Sequence, residues 1–207
     1  RDEMREKADS DLVRRQNRRI VLETLRQHGP LARIELGRRT GLSPASITSI
    51  SGQLIEDHII HERHDLPPAT EPQRRGRPLT RIDLNPAAAH VLAVKVSIDG
   101  IELALADYRG DVIARHIAVI ATYDAKPDGF GVMIAGEIKS FLARHKMPSR
   151  HVSRIAVAVQ GAADSQSGTI MWSPAFRARN IPVVAPVQSA LGISCTIAND
   201  ANMMAEG

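Results

Sequence analysis

The sequence predicts an α/β chain of two unlike modules. A small helical module closed by a β-hairpin comes first, and a lobe of three antiparallel strands, a helix and a parallel strand follows. Three observations predict this. The hydrophobic period changes from helical to alternating near residue 85. Residues 1–81 hold all of the chain's net charge of +4, while the remainder is balanced. The Pro-rich stretch PPATEPQRRGRP stands between them.

A basic front and a neutral back suggest a polyanion-binding module joined to a different one. The chain is 43% hydrophobic but only 3% aromatic, so its cores are aliphatic. It contains no run of about 18 apolar residues, which predicts no membrane span. The highly charged N-terminus lacks the apolar stretch of a signal peptide. Cys195 is the single cysteine, so no disulfide forms within these residues and a reducing cytoplasm is expected. The sequence begins without Met and stops within NDANMMAEG, which reads as a helix. It is therefore expected to be part of a longer protein, with functional residues beyond Gly207.

The first module is expected over residues 1–84. Leu12, Ile20, Val21 and Leu25 recur at helical spacing, and HGP at 28–30 ends that helix. A short helix follows from about Arg33 to Thr40. Ser43 is a good N-cap and Pro44 a good first residue for the next helix, PASITSISGQLIEDH. Winding it at about 100° per residue gathers Ile47, Ile50 and Leu54 on one stripe. Ala45, Thr48, Ser49, Gly52 and Gln53 fall opposite.

Solvent-exposed helix faces usually carry Lys, Glu or Arg. This one carries small groups, hydroxyls and an amide, which suits the floor of a DNA major groove. Ser43, Ala45, Ser46, Thr48, Ser49 and Gln53 are the candidate DNA contacts. Gly37 is expected to let the two helices cross closely and Gly41 to make the turn, in helix-turn-helix spacing. Thr40 departs from the usual apolar residue, and Ala32 leaves the shorter helix without a side-chain cap. A plain three-helix bundle is the alternative.

Two short strands, IIHERHDL and PLTRIDLNP, are expected next, with a wing and linker over 65–84. Arg74, Arg75 and Arg77 flank Gly76 at its tip, placed to follow a phosphate backbone or enter a narrow minor groove. An unstructured linker is the other reading. His58, His61 and His64 pass from a helix end into a strand, which scatters them, and no Cys lies near. No zinc site is expected there.

The second module is expected over residues 85–207. VLAVKVSI and IELALAD form an opening hairpin, VIARHIAV a third strand, and FGVMIAGEIKSFLARH a helix with Val132, Ile138, Phe141 and Leu142 buried. RIAVAVQG, SGTIMWSP and SCTIAND read as further strands, and PVVAPVQSALG as a helix. That order is the first lobe of a ribonuclease-H-like fold of the actin and sugar-kinase type.

Together these segments resemble the ROK family of repressors and kinases over nearly the whole chain. The stretch GPLARIELGRRTGLSPASITSISGQLIEDHII resembles the family's winged helix-turn-helix, and GRPLTRIDLNP its wing and linker. VAVQGAADSQSGTIMWSP and NDANMMAEG resemble its sugar-site segments. The resemblance implies a sugar-responsive transcription repressor, with operator DNA and a small-molecule sugar as partners and at least a homodimer as the assembly.

In the family's kinases the opening turn reads close to DIGGTK. Here Lys95 stands for the acidic residue, Ser97 and Ile98 for the glycines, and Asp99 for the Thr. A Gly-rich turn brings bare amides to phosphates, so ATP and phosphoryl transfer are not expected, nor any catalytic residue. Asn199 and Asp200 match the family's sugar-binding pair, and Gly161 would let a sugar approach the backbone. Gln160 and Ala175 depart from the pattern. No cofactor is expected within these residues, and the family's structural zinc would lie beyond residue 207. Two rival readings are an ATP-dependent sugar kinase with an accessory DNA module, and a DNA-binding protein whose second module only dimerises.

Overall fold

A computed structural model describes residues 2–64 and 80–200, with side chains from Ser10 onward. The chain divides into two compact units at Ala88/Ala89.

In the first unit, α1 (Asp2–His28) ends where Gly29 turns left-handed and returns its N–H to the Leu25 carbonyl. Two residues, Leu31–Ala32, then form strand β1. Helix α2 spans Arg33–Thr40 and α3 spans Pro44–Glu56. Strands β2 (Ile60–Arg63) and β3 (Arg81–Leu84) pair antiparallel, and β1 joins the other edge of β3. Strand β1 has no sequence signal, because two residues cannot show a period. Val21, Leu25, Leu36, Ile47, Ile50, Leu54, Ile60, Ile82 and Leu84 make the aliphatic core.

Both departures from the helix-turn-helix pattern have a local answer. Ala32 cannot cap α2, yet the Glu35 carboxylate accepts the Ala32 N–H at 2.7 Å and so closes half of a capping box. The Thr40 hydroxyl donates to the Leu36 carbonyl at 2.7 Å and accepts the Leu42 N–H at 3.3 Å, stitching the turn. Gly41 adopts φ +71°, a left-handed C-cap that favours glycine. Gly37 is less demanding than its spacing suggests. A methyl there would meet only the Leu42 carbonyl at 3.5 Å and Ile47 at 3.9 Å, so alanine would fit.

Polar groups fasten the periphery of this unit. Arg33 donates to the hydroxyl of the fully buried Ser51 at 3.1 Å and pairs with Glu62 at 3.0 Å, tying α2 to α3 and β2. Asp83 is buried, and a buried carboxylate needs a partner. Arg63 supplies one at 3.2 Å.

The second unit is built on a five-stranded sheet in the order β11-β7-β4-β5-β6. Strands β4 (His90–Ser97), β5 (Gly100–Ala106) and β6 (Val112–Ala118) are antiparallel neighbours. Helix α4 (Pro127–Arg144) leads to β7 (Val152–Val159), parallel to β4. A small sheet of β8 (Ala162–Asp164), β9 (Thr169–Trp172) and β10 (Ile181–Pro182) follows. Then α5 (Val184–Leu191) and β11 (Cys195–Asn199) close the described part, β11 lying parallel to β7.

Alternation fixes which sheet face is buried. Leu92, Val94 and Val96 of β4, Ile101, Leu103 and Leu105 of β5, and Ile155, Val157 and Val159 of β7 all turn into the core. Helix α4 meets it with Phe130, Ile134, Ile138, Phe141 and Leu142. The expectation for Val132 is corrected, since it is 61% exposed. The buried stripe starts at Phe130 and recurs every three or four residues, which leaves position 132 on the outer side.

Candidate functional site

Each unit presents one surface with chemistry to offer. On the first it is the outer face of α3. Ser43 caps the helix as expected, its hydroxyl accepting the Ser46 N–H at 3.1 Å and lying 2.9 Å from the Ser46 hydroxyl. Ala45, Thr48, Ser49 and Gly52 are exposed and Gln53 is half-buried. The Thr48 hydroxyl donates to the Pro44 carbonyl at 2.8 Å, which leaves its oxygen free to accept. Charge is absent from α3 until Glu56.

Gly52 has open space where a Cβ would sit. Glycine inside a helix costs about 0.5–1 kcal/mol relative to alanine, and nothing within the described residues requires it. Two further cations precede this helix in the chain. Arg38 and Arg39 are exposed in the last turn of α2, just before the turn into α3. Their signal was the Arg pair at that helix end. Arg74, Arg75 and Arg77 lie outside the described residues.

The three histidines are spread out. His58 is exposed at φ 57°, His61 lies in β2, and His64 is 3.8 Å from Glu62. Among the described residues, no three His, Cys, Asp or Glu gather as an ion site.

On the second unit the surface is the end of the sheet where the parallel strands β4, β7 and β11 all finish, the usual place for a ligand in an open α/β sheet. The turn from β4 to β5 is two residues long, with Ser97 paired to Gly100. Ile98, 61% exposed, and Asp99 form its tip. Val159 of β7 runs into Gln160 and Gly161, and β11 ends at Asn199 beside Val159. Asp200 follows, and its carboxylate lies 3.4 Å from Lys95 Nζ. The structure thus brings together Asn199, Asp200 and the start of the Gly161 loop, and adds Lys95.

Two positions are explained by the chain itself. A Cβ on Gly161, at φ +130°, would run into the Trp172 carbonyl. Glycine here is needed for the chain's own packing. Ala175 is fully buried, its N–H donating to the Ser173 hydroxyl at 3.2 Å and its carbonyl accepting from Thr122 at 2.8 Å.

The sequence profile of the ROK family matches residues 91–207, more than half of the chain. The DNA-binding transcriptional repressor Mlc of Escherichia coli (strain K12) is 27% identical over 191 residues, covering 92% of this chain and 46% of that protein. The DNA-binding transcriptional dual regulator NagC of the same strain is 25% identical over 195 residues, covering 94% and 46%. A crystal structure described as a ROK family transcriptional regulator, homolog of the E. coli MLC protein, superposes with a TM-score of 0.68 at 27% identity. That match covers 93% of this chain and 47% of the other. The chain spans about half the length of the curated relatives it matches.

Proposed function

We propose a function from one premise: the chain belongs to the ROK family. Its mixed α/β fold is of the ROK type and matches a ROK regulator. On this reading the whole protein is a sequence-specific transcriptional repressor of carbohydrate metabolism. Residues 1–84 are its winged helix-turn-helix, and residues 85–207 are the first lobe of a sensing domain that carries out no chemistry. The protein works in the cytoplasm as a homodimer, since two copies read a two-fold operator.

The observation that carries the reading is the α3 face. It is uncharged, small and exposed, and it holds a glycine that the fold does not use. A surface of this kind can lie against base pairs. Ala45 and Thr48 would meet base edges or thymine methyls, and Ser49 and Gln53 would exchange hydrogen bonds with bases. Ser43 and Ser46 sit at the helix N-terminus near the backbone, where Arg38, Arg39, Arg74, Arg75 and Arg77 neutralise phosphates. Relatives named as a DNA-binding transcriptional repressor and a DNA-binding transcriptional dual regulator support the same reading.

In the second unit Gly161, Asn199 and Asp200 form part of a sugar pocket. A sugar bound there favours one arrangement of the protein over another and so changes the spacing of paired DNA modules. The kinase alternative meets two obstacles. Ile98 and Asp99 occupy the turn where phosphates would need bare amides, and Lys95 already holds Asp200.

The test is selection of DNA ligands by the full-length protein from a random pool at moderate ionic strength, followed by titration of the recovered sequence. A recovered consensus with two-fold symmetry, bound more tightly than random DNA by at least about a thousandfold, is expected. Uniform binding to all sequences would defeat the reading. Tight binding of ATP with Mg²⁺ would instead favour the kinase.

A further inference from the structure

Lys95 and Asp200 are separated by most of the second unit's sequence, yet the sheet brings them together. Lys95 on β4 is in register with Ala158 on β7, and Ala158 with Ala198 on β11. The three therefore share one sheet face, and β4 and β11 stand about 10 Å apart at twice the interstrand spacing. A lysine can reach across that gap because the residue between is alanine. Its Nζ ends 3.4 Å from the carboxylate of Asp200, two residues beyond Ala198.

The pair opens to solvent, with side chains 47% and 36% exposed. Ion pairs this exposed add little to stability, so holding the fold is a poor account of it. Its chemistry is better matched to a ligand. An ammonium has three donors and an ionised carboxylate about four acceptor positions, and their mutual contact uses few of them. A hydroxyl group is donor and acceptor at once. One sugar hydroxyl can accept from Nζ while it or its neighbour donates to the carboxylate. A free anion fares worse, because it must compete with Asp200 for Lys95 and is repelled by the carboxylate.

The geometry points to Lys95 and Asp200 acting as one binding unit for a neutral vicinal diol, with Lys95 a specificity-determining contact of the effector site. This rests on the sugar-sensing reading above. Lys95 orients Asp200 and then shares it with the incoming hydroxyls.

The experiment is calorimetric titration of the full-length protein with glucose, mannose, xylose, N-acetylglucosamine and glucose 6-phosphate. The proteins compared are wild type, Lys95→Met, Lys95→Arg, Asp200→Asn and the Lys95→Met/Asp200→Asn double variant. At least one neutral sugar is expected to bind wild type. Lys95→Met weakens it about tenfold or more, as loss of a charge-assisted hydrogen bond does, and Lys95→Arg restores most of the affinity. The double variant is no weaker than the worse single variant, and thermal melting stays unchanged throughout. The inference is overturned if Lys95→Met binds that sugar as wild type does. It is equally overturned if glucose 6-phosphate is preferred over glucose and Lys95→Met abolishes the preference. If no sugar in the panel binds wild type, the sensing reading itself fails and this inference with it.

Discussion

Gly52 on α3 and Gly161 at the end of β7 both lie on surfaces where a partner is expected, and the structure separates them. Nothing lies within 4 Å of where a Cβ on Gly52 would sit, while at Gly161 that space is occupied by the Trp172 carbonyl. Gly100, at the opening hairpin, is like Gly161, since a Cβ there would strike the Ala118 carbonyl. A glycine that the fold requires carries no information about ligands. One that costs the helix stability and relieves no contact points outward. The first unit therefore offers an uncharged face of small residues with open space at its glycine, and the second offers polar side chains at a strand end whose glycines serve the backbone.

The largest effect that tests this contrast is expected from Gly161→Ala. Its left-handed φ and the occupied Cβ space should destabilise the second unit by on the order of 3 kcal/mol. Thermal unfolding would show this as a lowered transition whether or not sugar is present. A variant that melts like wild type would mean that the close packing against Trp172 can relax.

Gly52→Ala should go the other way. Stability rises by about 0.5–1 kcal/mol, while affinity for the selected DNA falls about tenfold, equivalent to about 1.4 kcal/mol. Calorimetric melting and fluorescence anisotropy on the same preparation would separate the two effects. Unchanged DNA affinity would remove the argument that the α3 face is kept bare for close approach.

Glu35→Ala should cost about 1 kcal/mol, because the Ala32 N–H loses its acceptor at the start of α2. The loss should appear in melting of the first unit and leave sugar binding unchanged. The smallest change concerns Cys195. Burial pushes its thiol up to about 11, because a thiolate there would lose hydration. Iodoacetamide at pH 8 should leave Cys195 unmodified in the folded protein and label it once the protein is unfolded, as read by peptide mapping.

Long elements were legible in the sequence where period and caps agreed. Ser43-Pro44 opens α3 and Gly41 makes the preceding turn because capping and left-handed backbone are local preferences. The alternation in β4 and β5 gave both their burial and their pairing. Val132 departs from expectation because Phe130, Ile134, Ile138 and Phe141 set the buried face of α4, which leaves position 132 outside it. Strands β1, β8 and β10 run for two or three residues and exist only because a neighbouring strand offers hydrogen bonds, so no local signal could announce them.

The same division holds for the sites. Which residue types face outward on α3 followed from helical winding alone, since one helix fixes its own faces. The absence of a Gly-rich phosphate turn at 97–99 is likewise a statement about adjacent residues. That Lys95 meets Asp200, that Trp172 fills the space beside Gly161, and that Ala175 is sealed in the interior depended on strand order and register. Lys95 and Asp200 meet through the alignment of β4, β7 and β11, Trp172 reaches Gly161 through the pairing of β8 with β9, and Ala175 is held by Thr122 and Ser173; only the assembled structure decides these neighbours.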